Sequence, residues 1–264
     1  MKVAILAGGL GTRLSEETND KPKALVEIGG RPILWHIMMQ YSHFGFNEFV
    51  IALGHMGECI AQWVKKQNGS AENLTDHDTG LYHCSTERQR EWNIQLVDTG
   101  IETSTGGRIK RLAPWIGKET FMLTWCDAVA DVNIDSLLRF HRSHGRLATL
   151  TAVQPPPRFG KLVLVGNRVA EFKEKPRDFQ SWINGAFFVL EPEVFDYIEG
   201  DSTQFEKEPL ERLAREGQLM AYRHNSFWQC MDTIHEKSTL EQLWQSGQAP
   251  WKMWKERALR SISR

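Results

Sequence analysis

The chain contains no long hydrophobic run, and this absence argues against membrane attachment. The apolar run nearest its start covers residues 3–7, which is too short for a signal peptide or a membrane span. No later segment reaches spanning length either. We therefore expect a soluble, cytoplasmic protein that does not engage a membrane.

Cysteines are few and charge is nearly balanced, which excludes further classes of protein. The four cysteines are Cys59, Cys84, Cys126 and Cys230. They follow neither CxxC nor CxxH spacing, so we expect no structural zinc site and no secreted disulfide framework. Lys and Arg total 32 against 33 for Asp and Glu, a net charge of −1. Without a global basic field, nucleic acid is not an expected partner, and any phosphate affinity has to be local.

What the sequence does contain is a regular alternation of apolar and amphipathic stretches. With 264 residues and 41% hydrophobic side chains, the chain can bury a substantial core. In the first half, β-branched runs at residues 3–7, 49–53, 94–97 and 121–125 alternate with amphipathic stretches at 33–44, 57–66 and 107–115. This alternation predicts an α/β fold with a Rossmann-like mixed, mostly parallel sheet flanked by helices.

The second half predicts small additions to this sheet, within a single domain of residues 1–264. Residues 67–91 are polar and interrupt the alternation, so we interpret them as a long insertion. Closely spaced β-like segments follow at residues 148–153, 161–165, 168–173 and 186–190. Because no Pro-, Ser- or Gly-rich linker precedes them, we expect antiparallel additions to the same sheet. Residues 191–264 are predicted to be a mainly helical part of the same unit.

A cluster of glycines and basic residues follows the first predicted strand. The stretch LAGGLGTRL places a permissive backbone at the carboxyl end of a parallel strand, where backbone N–H groups can close on a phosphate or a base edge. Arg13, Lys21 and Lys23 supply countercharge. The GK[ST] ending of a Walker A loop is absent, and Leu14 replaces the third glycine of GxGxxG, which argues against an NAD-dependent oxidoreductase. For these residues alone, a plain glycine-rich turn with a solvated basic flank is equally open.

The wider pattern resembles a known family. GGLGTRL, followed by KPK and by a predicted helix starting at Pro32, resembles the sugar-1-phosphate nucleotidyltransferases. LSEET, VDTG with TGGR, and the tryptophan-rich tail are similar to the glucose-1-phosphate cytidylyltransferase branch. The resemblance implies Mg²⁺-dependent transfer of a cytidylyl group from CTP to a sugar 1-phosphate, with glucose 1-phosphate as the expected acceptor and pyrophosphate as the second product. It also implies a homo-oligomer.

The same resemblance implies roles for individual residues. The nucleotide-binding positions are Leu6, Ala7, Gly8, Gly9, Gly11, Thr12, Thr103 and Arg108, of which the last two would help to choose the base. The catalytic positions are Arg13, Lys23 and Asp127, and the Mg²⁺ ligands are Asp127 and Asp232. The acceptor-binding positions are Glu174, Lys175, Asn184 and Gly185. Carboxylates suit Mg²⁺, and the cations would neutralise charge that develops on the reacting phosphates.

Four positions depart from the family pattern. Cys126, Ala128 and Ala186 stand where the family usually carries glycine, and Cys230 stands where this branch usually carries proline. Side chains added where backbone approaches ligand remove room. Two alternatives therefore stay open: a cytidylyltransferase for another sugar, a polyol or a phosphonate, or a catalytically silent nucleotide-binding homologue. Cys126 and Cys230 are also candidates for a thiol pair, although independent core thiols are the simpler expectation.

Histidines and tail tryptophans are expected to have structural roles. The histidines on predicted helices are His36, His43, His141 and His144, for which we expect partly exposed surface positions. The tail tryptophans are Trp244, Trp251 and Trp254. They are expected to pack the tail against the body or a neighbouring subunit, because the tail lacks the basic density of a nucleic-acid surface.

Overall fold

The computed structural model describes residues 1–67, 81–85, 91–155, 160–174 and 181–254. Its strands are β1 (Lys2–Leu6), β2 (Glu27–Ile28), β3 (Arg31–Pro32), β4 (Glu48–Leu53), β5 (Leu81–Ser85), β6 (Glu91–Asp98), β7 (Phe121–Trp125), β8 (Ala128–Ala130), β9 (Ala148–Val153), β10 (Lys161–Val165), β11 (Arg168–Lys173), β12 (Ile183–Leu190), β13 (Leu219–His224) and β14 (Trp228–Cys230). Its α-helices are α1 (Ser15–Thr18), α2 (Ile33–His43), α3 (Gly57–Gln67), α4 (Thr105–Arg111), α5 (Ala113–Ile116), α6 (Ile134–His144), α7 (Glu208–Arg215) and α8 (Ile234–Gln245). Short 3-10 helices cover Thr12–Leu14, Lys23–Leu25 and Pro192–Tyr197.

A mixed sheet forms the centre of the fold. Within the described ranges it has eight strands in the order β13-β9-β12-β7-β1-β4-β6-β5. Both neighbours of β1 run parallel to it, whereas β12 and β5 run antiparallel to the strands beside them. The mostly parallel α/β class predicted from the alternation is therefore confirmed.

The central strands are buried on both faces of the sheet. Val3 and Ile5 of β1 pack into one core with α2, whereas Ala4 and Leu6 pack into the opposite core beneath α4 and α7. Successive side chains of a strand point to opposite faces, so a continuous apolar run serves both cores. Because β1 is packed on both faces, the position of the loop that follows it is fixed at the end of the sheet.

Three segments differ from the sequence-based predictions. Leu81–Ser85, inside the predicted insertion, is an edge strand that pairs antiparallel with β6, while residues 68–80 and 86–90 lie outside the described residues. β9 and β12 join the main sheet as predicted, but β10 and β11 form a separate two-stranded hairpin. The predicted helical part also contains β13, which extends the sheet parallel to β9. The apolar run at residues 162–165 of β10 would suit a buried strand equally well, so pattern alone does not assign strand partners.

The tryptophan-rich tail packs against the body, as predicted. Trp251 and Trp254 are buried in the same core as α2. The ring of His36 on α2 lies edge-on to Trp244 and Trp251. An exposed His36 was the wrong expectation, because Nε2 lies 2.8 Å from the Ile28 carbonyl oxygen and Nδ1 is 3.3 Å from the indole Nε1 of Trp251.

The expectation for His141 on α6 is also wrong, whereas His43 is exposed as expected. The His141 side chain is buried, with Nδ1 at 2.9 Å from Thr149 Oγ1 and Nε2 at 3.0 Å from Glu191 Oε1. His144 Nε2 lies 2.8 Å from the same Thr149 hydroxyl. The helical pattern does not reveal that polar partners on β9 and after β12 make burial of an imidazole acceptable.

Membrane insertion finds no support in the helices. Throughout the part of the chain that the structure describes, no helix is both long and apolar enough to cross a membrane. A cytoplasmic location stays a prediction of the sequence.

Burial of His36 predicts a loss of stability at acidic pH. Burial lowers the pKa of His36 from 6.5 to about 4, so the unfolded chain binds a proton that the folded chain excludes. We expect its contribution to the free energy of unfolding to be complete above about pH 6.5 and to fall by roughly 2–3 kcal/mol as the pH drops toward 4. Urea unfolding at several pH values measures how the free energy of unfolding depends on pH. His36→Gln should weaken this dependence and His43→Gln should not. An equal pH dependence in the two variants would contradict the assignment to His36.

Candidate nucleotide-binding and catalytic site

A cavity of about 530 Å³ opens where β1 and β7 end. The carboxyl ends of parallel strands are where open α/β sheets bind ligands. Segments 6–12, 23–24, 101–105 and 125–127 line it, with Leu14, Arg108, Gln204 and Glu206. The sequence-predicted residues gathered here are Leu6, Ala7, Gly8, Gly9, Gly11, Thr12, Lys23, Thr103, Arg108 and Asp127. All eight residues of the predicted nucleotide-binding set therefore share one cavity with two of the predicted catalytic residues.

The loop after β1 presents its backbone to this cavity. A Cβ on Gly8 would lie 2.4 Å from Arg108 Nη1, so no larger residue fits without moving the arginine. Gly11 has a φ of 65°, and its carbonyl oxygen accepts a hydrogen bond from the Leu14 N–H at 3.0 Å. At Gly9, a Cβ would meet no atom within 4 Å, so the chain borders open space there. This backbone can approach a phosphate or a base closely.

Arg108 joins two chain segments that lie beside the glycine loop. Its guanidinium donates hydrogen bonds to the carbonyl oxygens of Leu53, Gly100 and Ile101, at 3.0, 2.7 and 3.0 Å, and to Thr99 Oγ1 at 2.7 Å. Burial lowers the pKa of Arg108 below its ordinary value. These bonds tie the end of β4 to the segment after β6, and the guanidinium lies close to the backbone at Gly8. A role in choosing the base stays a prediction.

The cavity is also lined by residues that the motifs did not indicate. Gln204 and Glu206 precede α7 and line the cavity. Glu206 accepts hydrogen bonds from Thr105 Oγ1 at 2.6 Å and from Trp125 Nε1 at 3.0 Å, so it joins α4 to the end of β7. The one sequence feature near Glu206 is the EPL tripeptide that follows it, which is part of the resemblance to the family. Nothing in that tripeptide indicates that the residues before it line a cavity.

Lys23, Asp127 and Asp232 meet at one edge of the cavity. Lys23 begins a 3-10 turn, Asp127 follows β7, and Asp232 precedes α8. The Lys23 ammonium donates to Asp232 Oδ1, 209 positions away in the chain, and lies 3.5 Å from Asp127 Oδ2. The side chains of Lys23 and Asp232 are only 15% and 14% exposed, so bulk solvent screens the pair weakly. Two carboxylates predicted as metal ligands thus converge on one cation.

This pair of carboxylates suits a small, hard divalent cation. Mg²⁺ prefers oxygen ligands, retains several waters, and commonly takes its remaining ligands from substrate phosphates. In the described ranges, no group of three or more His, Cys, Asp or Glu side chains could hold a metal. Asp127 and Asp232 would therefore supply two ligands and leave the others to phosphate and water.

Of the predicted acceptor-binding residues, Asn184 and Gly185 lie beside this cavity rather than in it. β12 runs antiparallel to β7, so Asn184 and Gly185 near its start lie at the sheet edge where Asp127 follows β7. Asn184 and Glu174 are exposed, and neither lines the cavity. Lys175 lies outside the described residues. So does the side chain of Arg13, whose backbone belongs to the turn Thr12–Leu14.

Comparison with known proteins decides the family. Residues 2–244 match the family model described as nucleotidyl transferase. The chain belongs to the nucleotidyl transferase family. A protein named glucose-1-phosphate cytidylyltransferase from Salmonella typhi is 48% identical over 259 residues, which cover 96% of this chain and 100% of that protein. The resemblance to the cytidylyltransferase branch is therefore confirmed, and this chain is a nucleotidyltransferase.

Solved structures share the fold of this nucleotidyltransferase. HddC from Yersinia pseudotuberculosis matches with a TM-score of 0.67 at 21% identity, covering 92% of this chain and 99% of that one. The inositol-1-phosphate CTP transferase from T. maritima matches with a TM-score of 0.64 at 16% identity, covering 96% of this chain and 97% of that one. At such low identities these similarities support the fold alone.

Ala186 stands where the family pattern has glycine, and its backbone adopts a conformation that favours glycine. Its φ is 65°, in the left-handed region, and its N–H donates to Asn184 Oδ1 at 2.9 Å. The pairing of β12 with β9 is irregular between Asn184 and Phe188. A residue with a Cβ is strained in this region by about 1–2 kcal/mol. The chain therefore adopts at this position a turn that glycine would make without strain.

Ala186→Gly is expected to stabilise the protein. Relief of backbone strain outweighs the extra entropy that glycine brings to the unfolded chain, for a net gain of about 0.5–1 kcal/mol in the free energy of unfolding. Urea unfolding measures the change. Ala221→Gly on β13 is the control, and it should destabilise the protein because Ala221 has no positive φ. Destabilisation by both substitutions would contradict strain at Ala186.

The two cysteines near the site are separate thiols. Cys126 and Cys230 are both free and buried. Burial raises the pKa of Cys126, and the neighbouring Asp127 raises it further. The thiol of Cys230 donates to Glu236 Oε1 at 3.2 Å. The arrangement agrees with the simpler expectation of independent core thiols.

Proposed function

We propose that this nucleotidyltransferase transfers a cytidylyl group from CTP to glucose 1-phosphate and releases pyrophosphate. The observation that carries the proposal is the convergence of the glycine loop, Lys23, Asp127 and Asp232 on one cavity edge. The identity of 48% over nearly the full length to a protein named for this reaction supports both substrates.

The residues of the chain would act mainly by positioning and by electrostatics. The backbone of Gly8, Gly9 and Gly11 would hold the nucleotide, and Thr12 and Arg13 would bind the departing pyrophosphate. Lys23 would lie beside the α-phosphate, where attack by the sugar phosphate oxygen builds negative charge. Since no covalent intermediate is needed, holding two polyanions in line is the principal task of the site.

Mg²⁺ would be held by Asp127 and Asp232. When bound, it would neutralise charge on the phosphates of the substrate. Asn184 and Gly185 at the start of β12 would contact the sugar, and Glu174 and Lys175 would hold its phosphate. Asn184 and Gly185 lie near Asp127, because β12 runs antiparallel beside β7, the strand that Asp127 follows.

The test is pyrophosphate release with Mg²⁺, glucose 1-phosphate and each of CTP, UTP, dTTP, ATP and GTP in turn. We expect release with CTP, with CDP-glucose identified by mass spectrometry as the second product. Asp127→Asn is the matched negative control, because it removes a ligand charge with little change in size. Preference for another nucleotide would contradict the base assignment. Binding of CTP without release, across other phosphorylated sugars, polyols and phosphonates, would indicate a catalytically silent homologue.

A homo-oligomer is also part of the proposal. The hairpin β10–β11 exposes apolar side chains, with Leu164, Val165 and Phe172 at 59, 60 and 60%. Apolar patches of this kind commonly mark protein contacts. Light scattering coupled to size exclusion should give a mass above that of one chain, and Leu164→Glu should reduce it. A monomeric wild-type protein would contradict this part of the proposal.

A further inference from the structure

Glu236 on α8 is a buried carboxylate with no role in the chemistry proposed above. Its side chain is 7% exposed, although glutamates are seldom buried without partners. Oε2 accepts hydrogen bonds from the backbone N–H groups of Asp232 and Thr233, at 2.8 and 3.1 Å, and Oε1 accepts from the Cys230 thiol at 3.2 Å. One carboxylate thus holds the segment that carries Asp232 at three points.

Part of this arrangement is ordinary helix capping. Thr233 is the N-cap of α8, and its hydroxyl accepts the Glu236 N–H at 3.2 Å while the Glu236 side chain accepts the Thr233 N–H. A capping box consists of those two bonds. The bonds to the Asp232 N–H and to the Cys230 thiol are additional, and the bond to Asp232 is the shortest that Glu236 accepts in this segment. Capping therefore does not account for all that Glu236 does.

The additional bonds act on the residue whose position matters for the site. The Asp232 carboxylate accepts from Lys23. The preceding Met231 N–H donates to the Asp127 carbonyl oxygen at 2.8 Å. Asp127 therefore fixes the backbone N–H of Met231 and Glu236 fixes that of Asp232, so two successive peptide units are anchored. Two adjacent anchors leave the Asp232 side chain little freedom to leave Lys23 and Asp127.

We propose that Glu236 is a positioning residue, which holds Asp232 toward Lys23 and Asp127 before metal and nucleotide bind. Its charge matters as well as its shape, because a carboxylate accepts N–H hydrogen bonds more strongly than a neutral amide does. Groups that orient metal ligands from behind commonly change metal affinity or activity by about 10- to 100-fold when removed. The kinetic part of this inference rests on the proposed transfer reaction, whereas its metal-binding part rests only on the proposed metal site.

The kinetic test compares Glu236→Ala, Glu236→Gln and Thr233→Ala at a temperature where all three are folded. Glu236→Ala should lower kcat about tenfold and raise the half-saturating Mg²⁺ concentration by a similar factor, with KM for CTP changed less than about threefold. Glu236→Gln retains an acceptor oxygen and should recover much of the loss. Thr233→Ala removes the other half of the capping box but leaves the bond to Asp232, so it should lower the melting temperature without changing kcat or the Mg²⁺ requirement.

Binding of Mn²⁺ to the nucleotide-free protein, followed by electron paramagnetic resonance, separates this inference from the proposed function. Weaker Mn²⁺ binding to Glu236→Ala than to Thr233→Ala supports positioning even if CTP proves not to be a substrate. If the two variants instead change kcat and metal binding only in proportion to their loss of melting temperature, Glu236 is no more than a helix cap and the inference fails.

Discussion

Replacing Lys23 with methionine is expected to slow pyrophosphate release at saturating CTP by about 100-fold or more, and to strengthen Mn²⁺ binding to the nucleotide-free protein. The loss of rate follows from removing a fixed cation beside the phosphate on which charge develops. Such preorganised groups act chiefly on the transition state, so KM for CTP should change much less than kcat.

The gain in metal affinity follows from the ion pairs of Lys23. The ammonium bonds to Asp232 and lies 3.5 Å from Asp127, so it competes with a divalent cation for the same two carboxylates. A metal ion bound there would also be repelled by the nearby ammonium. Methionine is similar in length but neutral, and it removes both effects. In the native protein, metal binding should therefore release Lys23 toward the nucleotide.

Both effects are measured on the same preparations, by pyrophosphate release and by Mn²⁺ titration. Lys65→Met is the control, because it makes the same change of charge at an exposed position on α3. It should leave the rate and the metal affinity unchanged. Weaker Mn²⁺ binding by Lys23→Met would mean that Lys23 supports the metal site rather than competing with the metal.

Replacing Arg108 with methionine should lower the free energy of unfolding by about 3–5 kcal/mol, because the substitution removes a buried charge and leaves several acceptors without their donor. The carbonyl oxygens of Leu53, Gly100 and Ile101 would all lose a hydrogen bond from the guanidinium. Gly8 and Gly54 leave space for this side chain: a Cβ on either would lie 2.4 Å from Arg108 Nη1. The loops that form the nucleotide side of the cavity should therefore loosen together.

Urea unfolding and CTP binding measure the two consequences. Arg142→Met is the matched control, because it makes the same change of charge at an exposed position on α6. We expect the free energy of unfolding and the CTP affinity of this control variant to change little. Arg108→Lys should lie between wild type and Arg108→Met, since an ammonium cannot span the same acceptors. A folded Arg108→Met variant of wild-type stability that no longer distinguishes CTP from UTP would instead favour direct reading of the base by Arg108.

Much of the site could be predicted because its signals are local. The apolar run before the glycines predicts β1, and the change from run to loop places residues 8–12 at a sheet edge. Asp127 could be assigned in the same way, from its place just after the run that forms β7. Pro32 before a long apolar stretch correctly predicted the start of α2. In each case, neighbouring residues contain the whole signal.

The errors and omissions have a common physical cause, which is that they depend on partners distant in the chain. His36 was expected at the surface because its helix pattern does not reveal that Trp251 will cover it. The role of Glu206 depends on its bonds to Thr105 and Trp125. The hairpin β10–β11 was expected in the main sheet, but period-two alternation does not tell which strand lies beside which.

By itself the sequence determined the family, the α/β class, the glycine loop and the residue types of the site, because periodicity and motif chemistry are properties of short segments. Only the tertiary structure decided that Lys23 joins Asp127 to Asp232 and that Arg108 joins the end of β4 to the segment after β6. It also decided that Glu236 holds Asp232. These contacts join segments brought together by the order of strands in the sheet and by the packing of helices on it, which no single stretch of sequence encodes.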